Sequence, residues 1–293
     1  MDARGIMQLD VQPASDHPIS DLVSWLNLGF ESYFVPIHFN ISQFLTMVRK
    51  DGIDLTSSRV LFADGLPSGI ALIARRGWTS RLAAMGIFSN MRGKGAGTWF
   101  MKQLVEEANE RNDREMVLEV IEQNAPAVTL YQKAGFEVVR RLVGFVRSAT
   151  SLQSTPVEPT SAAKSGDFVV LEEIDIRTVS NLISSLGLPD LPWQLSGETI
   201  AQTNPPARAY QQGPAYIVIS NPEAEHVVIW SVLVEPQARG RGLGTQMLKD
   251  ILARYPDRNW HVPAIFPEEF SKVFERAGFE REDISQWQMK LNL

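Results

Sequence analysis

The sequence predicts an α/β protein made of two copies of one domain, each a mixed, partly parallel sheet flanked by helices. Three observations carry this prediction. A pair of motifs occurs twice in the same order, β-forming runs alternate with helical periodicity around each pair, and a break in composition separates the copies.

The motif pair comes first. Arg92-Gly93-Lys94-Gly95-Ala96-Gly97 is followed by Tyr131-Gln132-Lys133-Ala134-Gly135-Phe136. Arg239-Gly240-Arg241-Gly242-Leu243-Gly244 is followed by Phe274-Glu275-Arg276-Ala277-Gly278-Phe279. The two members are about 35 to 40 residues apart in each copy. Two unrelated motifs repeating in order indicate a duplication.

The flanking elements follow from pattern. Gly69 to Ala74, Arg81 to Phe88 and His226 to Val234 are β-forming runs that precede the Gly loops. After the loops, Phe100, Met101, Leu104, Val105 and Ala108, and likewise Met247, Leu248, Ile251 and Leu252, recur at helical spacing. Met116 to Ile121 and Trp260 to Ile265 are predicted strands, each followed by a short helix stopping at Gly135 or Gly278. Ser148 to Gly166, rich in Ser, Thr, Pro and Ala, is the predicted linker. The expected division is therefore 1–147, a linker over 148–166, and 167–293.

Composition narrows the function. The 293 residues are 44% hydrophobic and 21% charged, with a formal net charge of −6 and no cysteine. Lack of cysteine removes disulfides, thiolate metal sites and a cysteine-linked acyl intermediate. The acidic balance argues against nucleic acid as a partner. No signal-peptide pattern and no apolar run long enough to span a bilayer stand out, so the expectation is a cytoplasmic protein with no membrane partner. No metal is expected.

A Gly loop between a strand and a helix lets backbone N–H groups approach a ligand, and the helix dipole favours an anion there. With basic residues at its rim, the loop suits a pyrophosphate. It lacks the closing Gly-Lys-Ser/Thr of a P-loop and the glycine spacing of a dinucleotide fingerprint.

On these residues both halves resemble the GNAT superfamily of N-acetyltransferases, in tandem. The resemblance implies that Arg92, Gly93, Lys94, Gly95, Ala96, Gly97 and Thr98 bind the pyrophosphate of acetyl-CoA, as a co-substrate. Arg239, Gly240, Arg241, Gly242, Leu243, Gly244 and Thr245 would do the same in the second copy. It implies that the preceding strand splays from its neighbour at a bulge. Met85, Gly86 and Ile87, or Val232, Leu233 and Val234, would then face the pantetheine arm. The second copy carries the family's Glu235-Pro236 lead-in, whereas the first has Ser89 where the proline would be.

Transfer to an amine needs a deprotonated nucleophile, a donor for the oxyanion and an acid for the departing thiolate, since an alkylamine titrates at about 10.4. Tyr131, in a stretch resembling the family's Asn-x-x-Ala-x-x-Leu-Tyr-x-x-x-Gly-Phe, is the expected acid, and Asn124 is expected to hold pantetheine and cap a helix. Glu119, a carboxylate on an apolar strand, is the candidate base, with an ordinary salt bridge as the competing role. In the second copy Phe274 replaces the tyrosine and Pro267 the asparagine, and His261 is read as structural.

The aromatic stretch from Glu31 to Phe39 falls where the resemblance places the acceptor pocket, so Tyr33, Phe34 and His38 are expected there. Trp78 and Arg75-Arg76 either border that pocket or form a hairpin end. The expected function is acetyl-CoA-dependent N-acetylation of a small-molecule or peptide amine, with the first domain active. Two alternatives stand: a non-catalytic acyl-CoA sensor, and an active second domain as in tandem mycothiol synthases.

Overall fold

The computed structural model describes residues 7–31, 33–36, 38–149 and 170–293. Most of the expected linker lies outside these residues. The chain forms two compact units, Met1–Arg140 with Trp287–Leu293, and Arg141–Gln286.

Unit 1 runs β1 (Leu9–Pro13), α1 (Ile19–Gly29), α2 (Ile41–Asp51), β2 (Arg59–Ala63), β3 (Leu66–Arg76), β4 (Thr79–Ile87), α3 (Ala96–Glu110), β5 (Glu115–Ile121) and α4 (Ala125–Lys133). Its sheet has the order β1-β2-β3-β4-β5, antiparallel up to β4, with β5 parallel to β4. β2, β3 and β4 join through tight turns, β1 reaches β2 through α1 and α2, and the parallel step takes a crossover helix, α3. Phe100, Met101, Leu104 and Ala108 lie on the buried face of α3 and pack on Met116, Leu118 and Val120 of β5.

Unit 2 repeats this plan. After β6 (Glu137–Arg147) come β7 (Glu172–Ile174), α5 (Ile176–Leu186), α6 (Gly197–Ala201), β8 (Arg208–Gln212), β9 (Ala215–Ile219), β10 (His226–Val234), α7 (Leu243–Arg254), β11 (Asn259–Pro267), α8 (Ser271–Glu275) and β12 (Glu280–Asn292). Its strands are ordered β6-β11-β10-β9-β8-β7, with β10 and β11 parallel. Met247, Leu248, Ile251 and Leu252 of α7 lie in its core with Ile229, Trp260 and Val262.

The units depart from a division at residues 147 and 167 in their last strands. β6 follows α4 in sequence, yet Val143 and Phe145 lie in the core of unit 2, where β6 pairs antiparallel with β11. β12 follows α8, yet Met289 is fully buried in the core of unit 1, and the Leu293 N–H donates to Arg114 O at 3.0 Å. Unit 1 thus takes its closing strand from beyond unit 2 in sequence, and unit 2 takes the strand that directly follows α4. Both strands carry apolar residues that suit either sheet, so local pattern does not specify which one each joins.

Candidate active site

The parallel ladder between β4 and β5 covers Thr79–Arg81 against Glu115–Val117, and beyond it the strands part. On the other edge of β4, register shifts between Leu72 and Ile73 so that Ala83 is the extra residue of a bulge. The same geometry recurs in unit 2: β10 pairs with β11 over His226–Val228, and Trp230 is the bulged residue against β9. Met85, Gly86 and Ile87 pair with β3 along one edge, so their other edge faces the gap. Val232, Leu233 and Val234 pair likewise with β9.

Glycine is required where the loops turn. Gly93 and Gly95 have φ of +74° and +84°, and Gly240 and Gly242 have +77° and +81°, all in the left-handed region. Gly95 and Gly242 are the N-caps of α3 and α7, and neither helix receives a side-chain cap. The first N–H groups of both helices are therefore available to an anion. Ala96, Thr98, Leu243 and Thr245 lie in those first turns, and Gly97 packs closely enough that a Cβ would sit 3.6 Å from Ile87.

The arginines that open the loops point elsewhere. Arg92 donates from Nε to Ile87 O at 2.9 Å and from Nη2 to Gly29 O at 3.1 Å. Arg239 donates from Nε to Val234 O at 3.0 Å and from Nη2 to Leu186 O at 2.8 Å. In each unit the guanidinium ties the loop to the strand end and to the C-terminus of the first helix, where carbonyls favour a cation. Lys94 and Arg241, both exposed, remain the basic side chains of the loops themselves.

Tyr131, Asn124 and Tyr33 come together. Asn124 caps α4 by accepting the Ala127 N–H at 3.4 Å, and its side chain also hydrogen-bonds the Tyr33 hydroxyl. Burial pushes the Tyr33 phenol above its usual value despite that bond. Tyr131 is 8% exposed, and burial, with Tyr33 beside it, holds its phenol far above the ordinary tyrosine range. Such a group stays protonated throughout the neutral range.

Glu119 is placed differently from a free base. Its side chain is 2% exposed, and Oε2 accepts from Arg81 Nε at 2.8 Å; Arg81 also faces Asp51 at 3.3 Å. The cluster joins α2, β4 and β5 just where the parallel ladder ends. The Glu119 carboxylate is engaged by Arg81, and the geometry favours the salt-bridge role over direct proton abstraction.

Of the acceptor residues, Tyr33 and His38 line a surface pocket of about 610 Å³ with Ser24, Asn27, Phe30 and Glu31. Asn27 braces this loop, donating to Phe39 O at 2.9 Å and accepting from Phe39 N at 2.8 Å. Phe34 is 51% exposed and stacks edge-on to Tyr33 outside the pocket lining. Trp78 lies in the turn between β3 and β4 with Arg114 over its ring at 3.2 Å, and Arg75 pairs with Asp113, which makes this segment a hairpin end.

Sequence reasoning missed one close approach. Gly29, at the end of α1, meets Gly86 so tightly that a Cβ on Gly86 would lie 2.7 Å from Gly29 Cα. A glycine inside a strand run was the available signal.

In unit 2 the gap between β10 and β11 is a cavity of about 270 Å³, lined by Leu233, Val234, Gly242, Gly244, Leu195, Phe266 and Pro267 among others. Among the described residues no Tyr, His, Asp or Glu lines it. His261 stands outside that lining, with Nε2 3.3 Å from Glu282 Oε2. Among the described residues no group of three His, Asp or Glu suits a metal ion, and no helix is long and apolar enough to cross a membrane.

Comparison with known proteins bears on the fold and the family. A 36% identical segment of 76 residues is shared with a streptothricin acetyltransferase of Streptomyces lavendulae; it spans 25% of this chain and 40% of that relative. A tandem GNAT protein from the clavulanic acid biosynthesis pathway superposes with a TM-score of 0.63 at 15% identity, covering 98% of both chains. A GCN5-related N-acetyltransferase from Sphaerobacter thermophilus gives 0.65 at 15% identity, covering 98% of this chain and 95% of that one. These two similarities concern the fold. The Acetyltransferase (GNAT) family profile matches residues 25–136 and 207–268, one stretch in each unit and more than half of the sequence together, and the chain belongs to that family.

Proposed function

We propose that the chain is an acetyl-CoA-dependent N-acetyltransferase acting on a small-molecule or peptide amine by direct transfer, with the reaction in unit 1. The observation that carries this reading is the meeting of Tyr131, Asn124 and the acceptor-loop residue Tyr33. Acetyl-CoA would supply an activated acyl thioester. The N–H groups at the start of α3 would hold its pyrophosphate, and the free edge of Met85–Ile87 would bond its amide arm.

Tyr131 supplies the proton at the sulfur. A phenol is a weaker acid than a thiol in water, so its main contribution is a hydrogen bond to the developing thiolate, completed as the amine releases its own proton. Glu119 holds Arg81 at the fork, and this reading leaves deprotonation of the acceptor to solvent. Tyr33 and His38 supply the acceptor wall. We place the protein in the cytoplasm.

Unit 2 keeps the loop, the bulge and the cavity but lacks an acid at the position of Tyr131, where Phe274 is buried. This supports acyl-CoA binding without turnover there. The test is acetyl transfer from acetyl-CoA to a panel of amines that begins with streptothricin, alongside calorimetric stoichiometry. Turnover with two bound acetyl-CoA per chain is expected. Turnover that survives Gly95→Glu but not Gly242→Glu would move the reaction to unit 2, and absence of acetyl-CoA binding would overturn the reading.

A further inference from the structure

Unit 2 has a second cavity that the acyl-transfer reading does not use. It measures about 360 Å³ and lies among the later part of α7, the end of α8, the start of β11 and the end of β6. Arg147, Lys249, Arg258 and Arg276 line it, and no Asp or Glu does among the described residues. Leu252, Pro256 and Trp260 complete an apolar wall. The cleft between β10 and β11 opens at the other end of α7. Leu243 and Ala253 are ten residues apart on that helix, or about 15 Å at 1.5 Å per residue.

Two of the cations are fixed in place. Arg147 Nη1 donates to Ala277 O at 3.1 Å, and Arg258 Nε donates to Pro222 O at 3.0 Å, with Glu223 3.9 Å from Arg258 Nη2. Burial alone pulls the Arg147 guanidinium below its ordinary value, and no carboxylate offsets that cost. The side chains of Lys249 and Arg276 have no hydrogen-bond or ion-pair partner among the described residues. An anion in the cavity would meet two anchored guanidiniums and two adjustable cations.

The duplication supplies an internal control. A groove at the matching place in unit 1 is lined by Lys102, Glu106 and Lys133, and there Lys102 lies 3.5 Å from Glu106. Lys249 stands in α7 where Lys102 stands in α3, and Ala253 stands where Glu106 does. The second copy has lost the neutralising carboxylate, and Arg147 and Arg258 join the lining of its cavity. Ordinary compensation of a helix C-terminus accounts for Arg147, whose N–H reaches Ala277 O, but not for Lys249 or Arg276.

We propose that this cavity is a binding site for a diphosphate-bearing small molecule, separate from both acyl-carrier loops. Four cations exceed what one phosphate engages, and the apolar wall leaves room for an organic body. The test uses the full chain carrying Gly95→Glu and Gly242→Glu, which blocks both loops, titrated with inorganic pyrophosphate in a calorimeter. One pyrophosphate per chain is expected, with affinity falling as salt is raised. Adding Lys249→Glu and Arg276→Glu, both exposed positions, should weaken it at least tenfold while the melting curve stays put. No pyrophosphate binding in the loop-blocked chain, or binding indifferent to the two charge reversals, would overturn the proposal.

Discussion

The Tyr33 hydroxyl and the Asn124 side chain are hydrogen-bonded, which ties the loop after α1 to the N-terminus of α4. One asparagine therefore serves both sides of the proposed reaction. Its Oδ1 holds the helix that carries Tyr131, and the same side chain meets Tyr33 of the loop that lines the acceptor pocket. Asn124→Ala is expected to cost about 1 kcal/mol in stability through the lost cap. It should also raise the acceptor KM more than the acetyl-CoA KM, and steady-state kinetics in both substrates checks the asymmetry.

Tyr131→Phe removes the hydroxyl and keeps the ring that packs against Phe136. A fall in kcat of about 10²-fold, with little change in acetyl-CoA affinity, is expected if the phenol acts only on the departing thiolate. An unchanged kcat would remove Tyr131 from the reaction.

The alkaline side gives a separate readout of the same residue. Burial raises Tyr131 above its unfolded value near 10, so above that pH the unfolded chain releases a proton that the folded chain keeps. Stability should hold up to about pH 10 and then decline as pH rises. Denaturant melts from pH 8 to 11 should show this decline, and it should be shallower in Tyr131→Phe.

Glu119→Gln leaves Arg81 buried with Asp51 as its carboxylate contact at 3.3 Å. Breaking a buried pair on one side costs about 3 kcal/mol or more, so a large drop in melting temperature is expected. The acid limb of the kcat/KM profile should not move. A lost acid limb with intact stability would restore Glu119 as the base.

Gly242→Ala adds a Cβ that meets nothing within 4 Å, but φ is +81° there. The left-handed conformation costs an L-residue about 1–2 kcal/mol. Weaker acetyl-CoA binding at unit 2 is expected, with turnover retained, and calorimetry on the variant reads both the affinity and the count of sites.

The motifs made the site's frame legible because they encode backbone demands. Positive φ at Gly93, Gly95, Gly240 and Gly242 leaves a glycine signature that no other residue supplies cheaply. Tyr131 and Asn124 were legible from the resemblance, and their association with Tyr33 was not, since it joins segments about 90 residues apart. The inward turn of Arg92 was illegible for a related reason. A loop arginine suits a phosphate and a helix C-terminus equally, and tertiary placement of Gly29 decides between them. Glu119 looked unpartnered because Arg81 and Asp51 come from a different strand and helix.

The crossed ownership of β6 and β12 also bears on synthesis. Unit 2 has its full set of strands once residues through Gln286 have been made, whereas unit 1 lacks Met289 and its neighbours until after that point. On a translating ribosome the first half of the message would therefore yield a sheet one strand short, with a row of unpaired backbone groups along β5. A gene cut at the composition break would give two halves, each missing a strand the other encodes. Mixing such fragments, by contrast, offers every strand to its partner sheet, so recovery of a folded protein by complementation is the natural outcome of this arrangement.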